Sequence, residues 1–409
     1  MGYNILYTAT KSFEDRRFPL LGPNLKGLYT FGLLRQLPER ENKYRQHFFN
    51  FLHLISLIFV ISQLVDLYFM RKDFHNALIN ISISALSTVV ICKTISYIIL
   101  QSSFKNLIKA ISEEEISALK EQQNFVIILM KDYTRYVRIV TNLYWLVFFV
   151  TVIATIFSPF LKYASDSSYR EDIQTGAEPP PQILRSWLPF NILKKPGYIF
   201  ATALHIIMTV QGAGVVAVYD ANAFAIMTFL KGQFIILREK CQRIFGDEET
   251  ALTKMEIQAR IKECHRHHNF LLKQYTAFNT MISPIMFLYV LVCSINICCS
   301  VIQLSLENVS ISQKLWVFEY VLALGVQLFL YCWHSNEIAM ESDRVGNGVY
   351  ESNWWKADLQ ERKQLVLLAG KLAGPLIINA GPFTALSIPT FIQVMKGAYS
   401  FYTLFTQMQ

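Results

Sequence analysis

Apolar side chains along this chain gather in seven blocks separated by polar, charged stretches: His47–Met70, Phe74–Leu100, Thr134–Leu161, Pro196–Asp220, Pro284–Leu304, Leu315–His334 and Leu386–Gln407. Each block is long enough, at ~1.5 Å per helical residue, to cross a hydrocarbon layer of about 30 Å. Inside lipid every backbone N–H and C=O needs an internal partner, which a helix supplies. The pattern predicts an all-α, polytopic membrane protein with seven transmembrane helices. The last block is the least apolar, and its polar residues share one face. At ~100° per residue, Gln393, Lys396, Ser400 and Gln407 lie within roughly 40° of one direction, with Leu404 in the same stripe. A lysine facing lipid at mid-depth costs at least a few kcal/mol, so this face is expected to meet protein or water. Two arrangements stay open: a wetted pore with one apolar gating ring, or a bundle-interior helix bonded to its neighbours.

Helical spacing outruns the blocks. The fourth continues through Phe224, Met227, Phe234 and Leu237 to about Ile244, breaks at the acidic run 246–249, and resumes over Leu252–Leu272 into the fifth. An amphipathic segment, Phe104–Leu129, links the second and third blocks, and Ala164–Lys195, with three consecutive prolines, reads as an irregular loop. Residues 1–46 are polar and basic, without the apolar core of a secretory leader.

Composition strengthens the membrane reading: 53% hydrophobic against 17% charged residues, with mean hydropathy +0.30, excludes an ordinary water-soluble protein. Charge orients the spans. The N-terminus and the segments 101–138, 231–273 and 337–371 carry 28 Lys and Arg, the opposite loops 8. Positive-inside bias therefore places the N-terminus in the cytoplasm and the C-terminus outside, with the helical overhangs forming a cytoplasmic anchor layer. The net charge of +8 is met by anionic inner-leaflet lipid and calls for no nucleic acid. Lys93, ~28 Å along the second span from Phe74, is expected to snorkel to the cytoplasmic surface.

Catalytic chemistry is not indicated. No nucleophile–base set or phosphate loop is found, so the reading is a non-enzyme without cofactor. His265, His267 and His268 beside Cys264 read as a solvated helix face rather than a metal site. Gly212-Ala213-Gly214 reads as close helix packing. None of the seven cysteines falls in an outer loop, so no extracellular disulfide is expected, and the sequon at Asn308 sits in an outer loop close to the membrane.

Small polar groups recur at one level of several spans: Ser82 and Leu86 in the second, Phe148, Thr151, Val152 and Thr155 in the third, Ala201, His205 and Met208 in the fourth, and Tyr320, Val321 and Leu324 in the sixth, with Glu319 nearby. Converging on one cavity in the outer half, they would suit a small, neutral, hydrophobic ligand. Ordinary interhelical hydrogen bonding is the alternative for each residue singly.

The segment Tyr331-Cys332-Trp333-His334-Ser335-Asn336-Glu337-Ile338, then Glu341-Ser342-Asp343-Arg344-Val345 and Val349-Tyr350-Glu351-Ser352-Asn353-Trp354, resembles insect odorant receptors. So does the C-terminal pattern of Leu386-Ser387-Ile388, Phe391 and Val394-Met395-Lys396-Gly397-Ala398-Tyr399-Ser400. Gustatory receptors are the nearest alternative, but their Thr-Tyr…Gln-Phe ending is replaced here by Ser400-Phe401 and Gln407-Met408. The resemblance implies a ligand-gated, non-selective cation channel of the plasma membrane of olfactory neurons. Four subunits line a central pore with their last helix, and volatile organic ligands bind in the subunits. The connection between the fourth and fifth spans is short, so the chain resembles an odour-tuning subunit that assembles with the family's co-receptor, in a tetramer. Carried over, Leu404 takes the hydrophobic gate position and Gln407 the polar ring outside it, with Ser400 on the same pore face and Lys396 where the pore widens. The chain then divides into 1–46, an N-terminal cytoplasmic segment, 47–344, six spans with the ligand pocket and cytoplasmic extensions, and 345–409, an anchor helix and the pore-lining seventh helix. A metabotropic seven-helix receptor would need the reverse topology, and a transporter would need broken helices in matched halves.

Overall fold

A computed structural model describes residues 17–35, 43–71, 74–120, 124–175, 180–192, 194–246, 252–305 and 311–408. Among the described residues six helices are long and apolar enough to cross a membrane: α2 (Lys43–Met70), α3 (Phe74–Ile99), α5 (Asn124–Ser165), α7 (Lys195–Gln242), α8 (Lys254–Ser305) and α9 (Ile311–Tyr350). The C-terminal α11 (Ile388–Met408) is the seventh helix of the sequence pattern. Its side-chain burial is one-sided. Ala398 packs inward, while Gln393, Lys396, Ser400 and Gln407 are exposed on the isolated chain. The side chain of Leu404 lies outside the described residues, as does Asn308.

Helices α5, α7, α8 and α9 overrun the membrane thickness, as the continued spacing of Phe224, Phe234 and Leu237 requires, and all three of those side chains are buried. Their overhangs meet α4 (Gln101–Lys120) and α10 (Leu359–Leu372) at the end predicted to be cytoplasmic. Ion pairs tie the layer: Arg238 to Glu351 at 2.7 Å, Lys240 to Glu263 at 2.7 Å, and Lys231 to Glu337. Asp358 caps α10, its carboxylate accepting from the Glu361 N–H while the Glu361 carboxylate accepts from the Asp358 N–H, which satisfies two otherwise orphaned donors.

The amphipathic segment Phe104–Leu129 falls on α4, to Lys120, and on the start of α5, which holds Phe125 and Leu129. Two expectations are corrected here. The loop over Ala164–Lys195 is partly helical, with α6 at Ser167–Thr175. His267 and His268 are not on a solvated face; both are buried, and the His267 ring nitrogen lies 3.0 Å from Gln233 Oε1. Burial drives the His267 imidazole down to about 3, helped by Lys240 and Arg266, so it is neutral at physiological pH.

The short α1 (Gly22–Thr30) and its flanks plug the bundle through Leu20, Leu21, Leu25, Leu28 and Leu33, none more than 2% exposed. Gly214 on α7 makes room for Phe31, whose ring occupies the space a Cβ would need. The plug is held electrostatically as well. Arg138, 1% exposed, donates to the carbonyls of Leu20 (2.5 Å) and Pro19 (2.7 Å). Glu115 accepts from the Leu20 N–H (3.3 Å) and from the Tyr133 hydroxyl (3.1 Å). Burial pushes the Glu115 carboxyl up to about 7, against the lowering pull of those two donors and Arg138. A two-stranded hairpin, β1 (Asn379–Ala380) and β2 (Thr384–Ala385), carries the chain from α10 to α11. Its turn needs Gly381 at φ +70°, and the Gly381 N–H bonds to Ser283 of α8.

Candidate ligand-binding site

Helices α3, α5, α7 and α9 do not close completely on one another; they enclose a cavity of about 420 Å³. That lies within the range of small-molecule sites, roughly 300–1,000 Å³. Small residues leave the space. Gly212 of α7 opens directly onto it, since a Cβ there would touch nothing within 4 Å, and Ala213 and Ala217 continue the same wall.

Of the residues expected from sequence, Leu86, Phe148, Thr151, Val152, Thr155, Met208, Tyr320 and Leu324 line this cavity. Most of their polar atoms are already engaged, so the wall they present is chiefly apolar. Thr151 Oγ1 donates to Glu319 at 2.8 Å, and Tyr320 donates to the Ser82 carbonyl at 3.2 Å while accepting from Asn296 at 3.0 Å.

Four expected residues are corrected. Ser82 lies behind the wall, its carbonyl held by Tyr320 and Asn296. His205 is turned toward the outer loop, 2.9 Å from Ser186 Oγ and against the Phe59 ring at 5.6 Å, so it clamps that loop to α7. Ala201, a turn above it, is buried on the same side of α7 and does not line the cavity. Val321 also falls outside the lining, its neighbours Tyr320 and Leu324 taking the inward face of α9.

The cavity also runs deeper than expected. On α9 it extends from Trp316 to Leu330, ~21 Å of helix and past the midplane of a 30 Å layer. Its deep part includes residues the sequence reading missed, among them Tyr144, Gly212, Ala213 and Gln327. The run of small residues on α7 was the available signal, because side chains that small cannot fill the gap between four helices.

Beneath this floor lies a buried ion pair. Lys93, expected at the cytoplasmic surface, is 1% exposed and stands 2.6 Å from Asp220, 0% exposed. Asp220 Oδ1 also accepts from the Tyr331 hydroxyl at 2.6 Å, Oδ2 accepts from Gln327 Nε2 at 2.6 Å, and Tyr144 faces the same carboxylate. The ammonium sits against the rings of Tyr219 and Tyr289 at 5.0 and 5.5 Å. An isolated charge at this depth would be prohibitive, and mutual pairing plus full hydrogen bonding is what allows both. One carboxylate thereby ties α3, α5, α7 and α9 together directly under the cavity.

A second cavity of about 400 Å³ lies beneath the outer loop, between Asp66, Lys162, Arg185 and Trp187, and shares Ile83, Thr155 and Trp316 with the first.

Comparison with known proteins agrees with this architecture. Residues 73–399 match the 7tm Odorant receptor family. Odorant receptor Or2 of Anopheles gambiae is 21% identical over 84% of this chain and 87% of its own length. Odorant receptor 22c of Drosophila melanogaster is 26% identical over 53% of this chain and 57% of its own. The olfactory receptor OR5 of Machilis hrabei, solved in complex with eugenol, superposes over the whole of both chains with a TM-score of 0.80 at 14% identity, a likeness of fold. With more than half its length matched, and with long apolar helices of which four surround a cavity, this chain belongs to the odorant receptor family and is a multi-pass protein of the plasma membrane.

Proposed function

We propose that this chain is the odour-tuning subunit of a heteromeric, ligand-gated, non-selective cation channel. The 420 Å³ cavity between α3, α5, α7 and α9 carries the reading: it is large enough for a volatile organic molecule, chiefly apolar, and closed beneath by a fixed polar floor. The solved complex of the Machilis hrabei receptor with eugenol supports a small organic ligand. In this reading the ligand favours a packing of the four helices that lets α11 swing outward. Helix α11 then lines the pore, with Leu404 as the gate, Gln407 as a polar ring, and Ser400 and Lys396 in the wider part. The exposure of Lys396, Ser400 and Gln407 on the isolated chain supports a polar face that meets water or partner subunits. The short connection between α7 and α8 supports the tuning role and a partnership with the co-receptor.

The test is whole-cell recording from cells expressing the chain with and without the co-receptor, across a panel of volatiles, with an N-terminal tag probed in unpermeabilised cells. Rapid cation currents that require both chains, and a tag hidden from outside, are expected. Responses carried only by a second messenger, or a tag labelled in intact cells, would overturn the proposal.

A further inference from the structure

The floor of the cavity carries one polar side chain whose orientation is dictated from below. Gln327 lines the cavity and donates through Nε2 to Asp220 Oδ2 at 2.6 Å. An amide carbonyl cannot face a carboxylate at that distance, because both are acceptors, so Asp220 fixes which end of the amide is which. Lys93 and Tyr331 on the other carboxylate oxygen hold Asp220 in place. Among the described residues Gln327 Oε1 accepts no hydrogen bond. The oxygen is therefore an acceptor without a donor at the bottom of an apolar chamber.

We propose that Gln327 makes the cavity select ligands bearing a hydroxyl donor, volatile alcohols or phenols, over ethers and hydrocarbons of the same shape. The inference rests on reading the cavity as the ligand site and adds the chemical class it takes. Other polar groups on the wall are hydroxyls, which can both donate and accept: Thr151 donates to Glu319, Thr209 to the His205 carbonyl and Tyr320 to the Ser82 carbonyl, while Ser87 and Thr155 can serve an alcohol and an ether alike, whereas Gln327 Oε1 can only accept. An alcohol that reaches the floor gains an acceptor there, while an ether oxygen brings a second acceptor and leaves Gln327 Oε1 unmatched. A site whose polar group is left without its partner discriminates more strongly than one that only lacks a contact. One such bond corresponds to a preference of about threefold to tenfold.

The experiment uses matched trios of equal heavy-atom count: octanol, heptyl methyl ether and nonane, and phenylethanol, benzyl methyl ether and propylbenzene. Currents are recorded from cells co-expressing the chain and the co-receptor. In the native chain each alcohol is expected to act at about three- to tenfold lower concentration than its ether, and Gln327→Met is expected to erase that difference. Equal potency of alcohol and ether, no response to either alcohol, or a preference that survives in Gln327→Met at normal surface level would each overturn the proposal. The native comparison decides the matter if the variant fails to reach the surface. A Gly212→Leu variant separates the two readings. If its responses to every compound match the native chain, the cavity is not the ligand site; if they shift but the alcohol preference is absent, only the role of Gln327 fails.

Discussion

Removing Lys93 alone should be among the most damaging single changes in this protein, and removing its partner as well should repair much of the harm. Both groups are at most 1% exposed and 2.6 Å apart. In Lys93→Met the Asp220 carboxylate keeps only neutral donors, from Tyr331, Gln327 and Tyr144. A buried charge stripped of its counterion costs about 3–5 kcal/mol, a large part of a typical margin of roughly 5–15 kcal/mol. Asp220→Asn leaves the ammonium on the faces of Tyr219 and Tyr289, which return only about 2 kcal/mol of what is lost. In the double variant Lys93→Met/Asp220→Asn no charge is buried, and the asparagine carbonyl can still accept from Tyr331 or Gln327. The pair then follows the rule that an isosteric neutral replacement is close to neutral. The assay is surface biotinylation together with fluorescence-monitored thermal unfolding in detergent. Both single variants should unfold at markedly lower temperature and reach the surface poorly, while the double variant recovers most of the native level. Single variants indistinguishable from the native chain, or a double variant whose loss equals the sum of the two, would refute the clasp.

Gly212→Leu places four carbons in the cavity where a Cβ meets nothing. Overpacking of about 1–3 kcal/mol against a bound ligand should raise half-maximal odorant concentrations roughly five- to hundredfold at unchanged surface level. Leu404→Ser should raise the resting current of co-receptor-containing cells, because a polar ring no longer dewets, and a silent closed state would reject the gate assignment. The Glu115 carboxyl, about 7 in the folded chain against an ordinary value of 4.5, binds its proton more tightly folded than unfolded. Its burial therefore costs stability fully above pH 7, and that cost is relieved as pH falls from 7 toward 4.5. His267, held down to about 3, acts in the opposite sense below its ordinary 6.5. Comparing Glu115→Gln with the native chain isolates the first effect. The native melting temperature should gain on the variant's as pH drops from 8 to 6, and parallel curves would contradict the assignment.

The spans were legible because lipid tolerates little else: blocks such as Thr134–Leu161 must be apolar throughout, whatever they pack against. Lengths were less legible where helices continue into water, since Phe224 to Leu237 carries a periodic rather than a solid apolar signal. The seventh helix was marked by its one-sided polarity rather than its hydropathy. The cavity was legible only in part. Sequence fixes which residues share a face, as with Leu86, Phe148 and Leu324, but not how far each helix is rotated in the bundle. His205 and Met208 are within one turn of each other, yet one clamps the outer loop and the other meets the cavity. The Lys93–Asp220 pair joins residues 127 positions apart. Depth in the membrane pointed Lys93 to the surface, and only the fold brings a carboxylate within reach of it.

The account depends most on the cavity between α3, α5, α7 and α9 being where the odorant acts. A density map of the assembled channel with an activating alcohol bound tests that directly. The account predicts ligand density between Gly212 and Leu324, with the hydroxyl against Gln327. Density confined to the space under the outer loop beside Trp187, with the deeper cavity unchanged, would contradict it.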